Sequence, residues 1–249
     1  MFEDLKGKRV LVTGASSGIG ACIAEVLGSY GASVGVHYRG NKKGALDVVR
    51  NITKKGGKAT LFEGDLLQSL AAAKLLKSFT DTFGGIDVLV NNAGGVYGAK
   101  HFLELDEESW DNTIALNAKA PFFLAREAFA VMKAQGGGKI INISSVSAKY
   151  GGSPHTIHYG AAKAALDAIT VGLARAGAQH NILVNSIRGG FIDTPFHKKM
   201  GRENISERIN LIPLKRAGQP IDIAGMVLFL ASKAGDYITG EVFTVAGGD

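Results

Sequence analysis

Tyr159 and Lys163 are four residues apart, in Tyr159-Gly-Ala-Ala-Lys163. That spacing puts both side chains on one face of a helix. An ammonium close to a phenol favours the phenolate and lowers a reference pKa of about 10. A tyrosine tuned in this way can donate or accept a proton near neutral pH. Ser144 and Ser145 lie a loop upstream, at the end of a predicted strand. A proton donor of this kind implies a second event for the proton to accompany, and the elements around the pair indicate what that event is.

Arg9-Val-Leu-Val-Thr13 is a short apolar run that reads as a buried strand, and Ala21 to Tyr30 reads as the helix after it, closed by Gly31. Between them lies Gly14-Ala-Ser-Ser-Gly18-Ile-Gly20. A glycine-rich turn from strand to helix makes a phosphate site, because helix-start amides point at the anion and glycines let the backbone approach it. The spacing is G-x-x-x-G-x-G, not the G-x-G-x-x-G of the commoner dinucleotide fingerprint. The second strand, Ser33 to Tyr38, runs into Arg39-Gly40-Asn41 with no acid before Asp47. An acid at that strand end would hold a ribose 2′-hydroxyl, whereas a basic residue accepts a 2′-phosphate. Arg39, with its planar fork, therefore favours NADP(H), with NAD(H) as the alternative.

The alternation continues. A helix is expected from Asn41 to Lys55, a strand from Lys58 to Glu63, a helix from Gln68 to Phe83 and a strand from Ile86 to Val90. Asp65 follows the third strand, where a carboxylate can accept from an adenine amino group or cap a turn. Asn91-Asn-Ala-Gly94-Gly95 follows the fourth, and Gly and Asn suit the tight backbone where a strand end meets a ligand. Glu107 to Gln135 reads as a long helical stretch, with a kink or boundary near Ala120 set by Pro121. Asn117 within it is a poor interior helix residue, so local irregularity is expected there. Strands from Lys139 to Ile143 and Asn181 to Ile187 flank a Tyr159 helix that runs to about His180. A helix from Pro220 to Ser232 and a strand from Val242 to Val245 complete the chain.

Apolar runs of this kind, alternating with helices, indicate a parallel sheet covered on both faces. No linker, repeat or compositional shift divides the chain. The expectation is α/β: a single-domain Rossmann fold over residues 1–249, doubly wound, with a sheet of about seven strands and helices on both faces. A substrate lid is expected at about 195–211. Ligands bind such sheets outside the carboxyl ends of the strands, and Gly14, Arg39, Asp65, Asn91, Ser145 and Gly190 all fall there.

The 249 residues are 46% hydrophobic, enough for a sizeable core, with a net charge of +6 and a pI near 9.3. The basic residues are dispersed, as at Lys42-Lys43, Lys54-Lys55 and Lys198-Lys199, without a stripe interleaved with aromatics. That argues against nucleic acid as a partner. The one cysteine, Cys22, excludes an internal disulfide, fits a reducing compartment and reads as a packed helix residue. The N-terminus lacks the apolar core of a signal peptide, and no apolar run approaches the roughly 18–20 residues that span a bilayer. A soluble cytoplasmic protein with no membrane partner is expected. His155 and His158 flank the start of the Tyr159 helix. With no third ligand a metal is not expected there, and one of the two is expected to line the substrate pocket.

Thr13-Gly-Ala-Ser-Ser-Gly-Ile-Gly20, Asn91-Asn-Ala-Gly94, Asn117, Ile143-Ser-Ser145 and Tyr159-x-x-x-Lys163 occur in an order and spacing that resemble the short-chain dehydrogenase/reductase family. The resemblance covers essentially the whole chain, from Leu5 to Asp249, and is to the branch holding 3-oxoacyl-carrier-protein reductases and glucose dehydrogenases. It implies an oxidoreductase that moves a hydride between NADP(H) or NAD(H) and a small-molecule carbonyl or alcohol. By the resemblance Tyr159 would be the acid/base, and Lys163 would lower its pKa and hold the nicotinamide ribose. Ser145, favoured over Ser144, would bond the substrate oxygen, and Asn117 would hold a water linking Lys163 to solvent. Gly14, Ser16, Ser17, Gly18, Ile19 and Gly20 would line the diphosphate turn. Asp65 and Leu66 would meet the adenine; Asn91, Ala93 and Gly94 the riboses; Gly190, Ile192 and Thr194 the carboxamide and diphosphate. A homotetramer is also implied.

Where that family usually has Pro-Gly after the sixth strand, this chain has Gly189-Gly190. Losing the proline restores backbone freedom and predicts a looser loop. A reading from a different class, a non-catalytic dinucleotide-binding regulatory or scaffold protein, would tolerate damage to Ser145, Tyr159, Lys163 or Asn117. All four are present.

Overall fold

A computed structural model describes residues 2–195 and 205–249. The elements that carry the site are β1 (Arg9–Val12), α1 (Gly18–Ser29), β2 (Ser33–Tyr38), α2 (Lys42–Lys54), β3 (Lys58–Glu63), α3 (Ala71–Phe83) and β4 (Val88–Asn91). They are followed by α4 (Glu107–Ile114), a π-helical turn (Ala115–Lys119), α5 (Ala120–Ala134), β5 (Gly138–Ser145), α6 (Ser147–Tyr150) and α7 (Ile157–Gly177). β6 (Ile182–Gly189), α8 (Ile205–Leu211), α9 (Pro220–Ala231) and β7 (Val242–Val245) close the chain.

The seven strands form one sheet in the order β3-β2-β1-β4-β5-β6-β7, every pair parallel. The chain runs outward from β1 to β3, then crosses back to β4 on the other side of β1. The loops after β1 and β4 therefore leave in opposite directions, and a crevice opens between them.

Both faces of the sheet are apolar, which is why the strands read as continuous apolar runs. Val10, Val12, Val88, Val90, Ile141 and Ile187 pack on one face with Ile23, Leu27 and Val227 of α1 and α9. Leu11, Leu89, Ile140 and Val184 point the other way, to Leu76, Phe79, Leu124 and Ala128 of α3 and α5. Fully burying each such side chain contributes about 1.5–3 kcal/mol, so each strand is held from two sides.

Several boundaries depart from expectation. α1 begins at Gly18, three residues earlier than its propensities indicate, so part of the glycine turn is itself helical. α3 begins at Ala71 because Leu70 takes a left-handed conformation just before it. The helical stretch from Glu107 to Gln135 does break near Ala120, as expected, into two α-helices joined by the π turn. β5 and β6 run on to Ser145 and Gly189. Gly189 is thus a paired strand residue between Ser145 and Val245.

Candidate active site

The turn after β1 is gripped from outside, which leaves its inner face open. His37, at the end of β2, accepts the Gly14 N–H at Nδ1 (3.1 Å), and its Nε2–H donates to the Gly64 carbonyl (3.1 Å). The Ala15 N–H donates to the His37 carbonyl (2.8 Å), and Asn41 Nδ2 donates to the Ser16 carbonyl (3.1 Å). Gly14 and Gly18 sit at φ +63° and +56°, where an L side chain is strained. Ser17 is the N-cap of α1 but makes no side-chain cap, so the first-turn amides of α1 are not capped by their own serine. A helix start of this kind, lined by glycines, suits a diphosphate. The grip residues His37 and Asn41 were not singled out from sequence, because nothing in their spacing marks a hydrogen bond to another element.

Burial pushes the His37 imidazole down to about 4. Both ring nitrogens are engaged, so protonation must break the bond from Gly14. Between about pH 6.5 and 4 the unfolded chain takes up a proton that the folded one refuses. Stability is therefore full above about pH 6.5 and falls as the pH drops, by about 3 kcal/mol in all. His37→Gln should flatten this acid limb in urea titrations at about pH 7.5 and 4.5; an unchanged limb would show that His37 does not set it.

The second wall is the loop after β4. Thr13 Oγ1 accepts the N–H groups of both Asn92 and Ala93 (3.0 Å each) and donates to the Val90 carbonyl (3.3 Å). Asn92 Nδ2 donates to the carbonyls of Thr13 (2.9 Å) and Gly14 (3.2 Å). This clamp fixes the spacing of the crevice. It explains Gly20 as well, since a Cβ there would lie 2.3 Å from Asn92 Nδ2. Asn91 behaves otherwise than expected. Its side chain is buried and donates to the Pro121 carbonyl (3.3 Å) and to Asn142 Oδ1 (2.9 Å), so it braces the strands and does not face the crevice. Ala93 and Gly94, past the strand end, present backbone there instead.

Asn117 lies in the π turn, fully buried. Its Nδ2 donates to the carbonyls of Gly95 (2.7 Å) and Thr113 (2.8 Å), and its Oδ1 accepts from the Gly95 N–H (3.2 Å). The amide takes the Thr113 carbonyl four residues back, which competes with the α-helical ladder and accounts for the irregularity expected at this residue. One amide hydrogen is thereby committed to the loop after β4 and the other to α4. A Cβ on Gly94 would stand 2.7 Å from Asn117 Oδ1 and 3.3 Å from Lys163 Nζ, so only glycine fits between them.

Strand alternation turns the two serines to opposite sides. Ser144 is buried and donates to the Lys163 carbonyl (3.3 Å), toward α7. Ser145 points to the other side, and its Oγ accepts the Ser147 N–H (3.1 Å), which leaves its own proton for a ligand. On α7, Lys163 Nζ lies 5.6 Å from the Tyr159 ring centre and donates to the Ile143 carbonyl (2.8 Å). Lys163 is only 3% exposed. Burial lowers its ammonium to about 8 against an upward pull from Asp167, so it remains largely charged at neutral pH. Asp167 accepts from Ser186 Oγ (3.0 Å) and Arg188 Nε (2.7 Å).

The remaining expected contacts divide. Thr194 stands at the start of α1, its Cγ2 3.4 Å from where a Gly18 Cβ would be, and so joins the diphosphate turn. Ile192 turns into the apolar core, and Gly190 packs against Ala246, so neither offers a side chain to the crevice. Asp65 Oδ1 accepts the Leu67 N–H (3.1 Å), and Leu66 packs toward the core under β3. Arg39 is exposed and donates to Tyr97 Oη (2.7 Å). His158 is buried, with Nε2 2.8 Å from the Tyr97 carbonyl, and His155 packs edge-on to His101. Of the lid expected at about 195–211, residues 196–204 lie outside the described residues. Among the described residues no helix is long and apolar enough to cross a membrane.

Known proteins share this fold and much of this sequence. Residues 14–249 match the family model described as enoyl-(acyl carrier protein) reductase. The chain is 38% identical over 241 residues to a 3-oxoacyl-(acyl-carrier-protein) reductase of Staphylococcus aureus, covering 97% of each chain. Its fold superposes with a TM-score of 0.91 on an angucycline C-6 ketoreductase with bound NADP, 36% identical, covering 98% of this chain and 96% of that one. It superposes with a TM-score of 0.92 on a 7α-hydroxysteroid dehydrogenase complexed with NADH and 7-oxo glycochenodeoxycholic acid, 32% identical, covering 99% and 96%.

Proposed function

This chain belongs to the short-chain dehydrogenase/reductase family of nicotinamide-dependent oxidoreductases, and from that premise we propose an NADP(H)-preferring carbonyl reductase or alcohol dehydrogenase with Tyr159 as its acid/base. The buried Lys163 cation beside the Tyr159 ring carries the reading. The nicotinamide, when bound, supplies or takes up the hydride. Tyr159 gives its phenolic proton to the carbonyl oxygen in reduction and takes it back in oxidation. Ser145 donates to the same oxygen and stabilises the charge that develops on it. Lys163 holds a positive charge beside the phenol, which favours the phenolate left after the proton departs. It keeps two ammonium hydrogens beyond the one given to Ile143, and these suit the nicotinamide ribose hydroxyls. Asn117 acts by fixing the loop after β4; its committed amide leaves the water link proposed for it to its carbonyl groups.

Ser16, Ser17, Gly18, Ile19, Gly20 and Thr194 are the diphosphate residues in this reading, with Asp65 and Leu66 at the adenine. The substrate is a small or medium-sized carbonyl or polyol. The protein works in the cytoplasm as a homotetramer, a reading supported by half-exposed Trp110, Phe122 and Val171 on α4, α5 and α7. The test is a panel of carbonyls and alcohols followed at the reduced-nicotinamide absorbance with both cofactors. Absence of turnover across a broad panel, with cofactor bound, would favour the non-catalytic alternative.

Arg39 carries the cofactor preference. Arg39→Glu should raise the KM for NADPH by about 10- to 100-fold, the loss of one or more charge-assisted bonds of about 1.5–3 kcal/mol. The KM for NADH should change far less. Equal effects on the two would show that Arg39 does not bind the 2′-phosphate.

A further inference from the structure

Arg39 is exposed and would be expected to wander among rotamers, yet it is held: its Nη1 donates to the phenol of Tyr97 (2.7 Å). Tyr97 is itself anchored at both backbone groups. Its N–H donates to Oγ1 of the fully buried Thr113 (3.0 Å), and its carbonyl accepts from the buried His158 Nε2 (2.8 Å). Trp110 stacks on the His158 ring, which fixes that partner in turn. Tyr97 therefore reaches from the rigid start of α7, next to Tyr159, to the guanidinium at the end of β2.

We infer that Tyr97 is a positioning residue for cofactor choice: its phenol fixes the Arg39 fork in place for a 2′-phosphate. The inference rests on the NADP(H) reading above and assigns a second residue to it. The chemistry of the partner matters. A carboxylate would hold the guanidinium but cancel its charge, whereas a phenol holds it and leaves the charge for the ligand. Among the described residues no carboxylate forms an ion pair with Arg39. Tyr97 uses one of five guanidinium donors, so Nε and Nη2 remain to make a bidentate contact with phosphate. What Tyr97 contributes is the entropy of a long side chain that binding no longer has to immobilise.

The test compares the Kd of 2′,5′-ADP with that of 5′-AMP by calorimetry, since the two differ only in the 2′-phosphate. Tyr97→Phe removes the hydroxyl and keeps the ring. It should weaken 2′,5′-ADP about 3- to 10-fold relative to 5′-AMP, as expected for one immobilised rotamer-rich side chain. In an Arg39→Met background the same substitution should leave the ratio unchanged, because Tyr97 acts only through Arg39. An unchanged ratio in Tyr97→Phe alone overturns the inference, and so does equal weakening of both ligands, which would mark a merely structural role. If the unsubstituted protein binds the two ligands equally, the NADP(H) reading itself fails and the inference falls with it. A ratio lost in Arg39→Met but kept in Tyr97→Phe retains that reading and removes only the part given to Tyr97.

Discussion

Tyr159→Phe is expected to lower kcat by about 10²–10⁴-fold, the usual range for removing a positioned acid or base. The substitution takes away a single hydroxyl and leaves the ring beside Lys163. The diphosphate turn, the Thr13–Asn92 clamp and the Arg39–Tyr97 contact are each held by their own hydrogen bonds. Cofactor affinity should therefore stay close to that of the unsubstituted protein, and the loss should appear in kcat and kcat/KM together. Fluorescence titration with NADPH beside steady-state rates separates the two quantities. Retained turnover would remove Tyr159 from the mechanism, while a parallel loss of cofactor binding would assign it a structural role.

Lys163→Met should separate activity from stability in opposite directions. Loss of the cation 5.6 Å from the Tyr159 ring should reduce kcat by about 10²-fold or more. Stability should move the other way. The folded Lys163 has a pKa of about 8 against a reference of 10.5. Between those values the unfolded chain binds the extra proton, so stability rises as the pH goes from about 8 to 10.5. Below about pH 8 the buried ammonium costs about 3 kcal/mol. Methionine removes that cost and loses the bond to Ile143, worth about 1 kcal/mol. The variant should be more stable by about 1–2 kcal/mol at pH 6, with the advantage gone above about pH 10.5. Urea midpoints across that range read the difference; a variant less stable at every pH would show that Lys163 is an asset to the fold.

Which parts of this site were legible in the sequence follows from how each residue works. Residues that act through spacing along one element could be read: Tyr159 and Lys163 by helix phase, the glycine turn by its place between strand and helix, and β1 by its apolar run. Ser145 was separable from Ser144 only through resemblance, and strand alternation turns the two side chains to opposite sides. Residues that act across elements left no such mark. His37, Asn41, Thr13, Asn92 and Tyr97 each reach a partner more than twenty residues away, and no periodicity records a pairing of that kind. Asn91 misled because a polar residue at a strand end usually faces the ligand, whereas here it belongs to a buried row with Asn142 and Thr170.

The strand order also bears on how the protein assembles during synthesis. β1 is made first, yet it lies in the middle of the sheet and pairs with β4 in a register that matches Val10 to Val88. Until residue 91 has emerged, β1–β3 can form only half a sheet, with the edge of its most apolar strand uncovered. Such an edge invites pairing with another nascent chain, and long-range parallel pairing of this kind is slow. The Thr13 hydroxyl can engage Asn92 and Ala93 only after the two halves dock. The clamp that sets the width of the crevice is therefore among the last contacts to form, and a chain stalled before docking would carry an intact glycine turn with nothing opposite it.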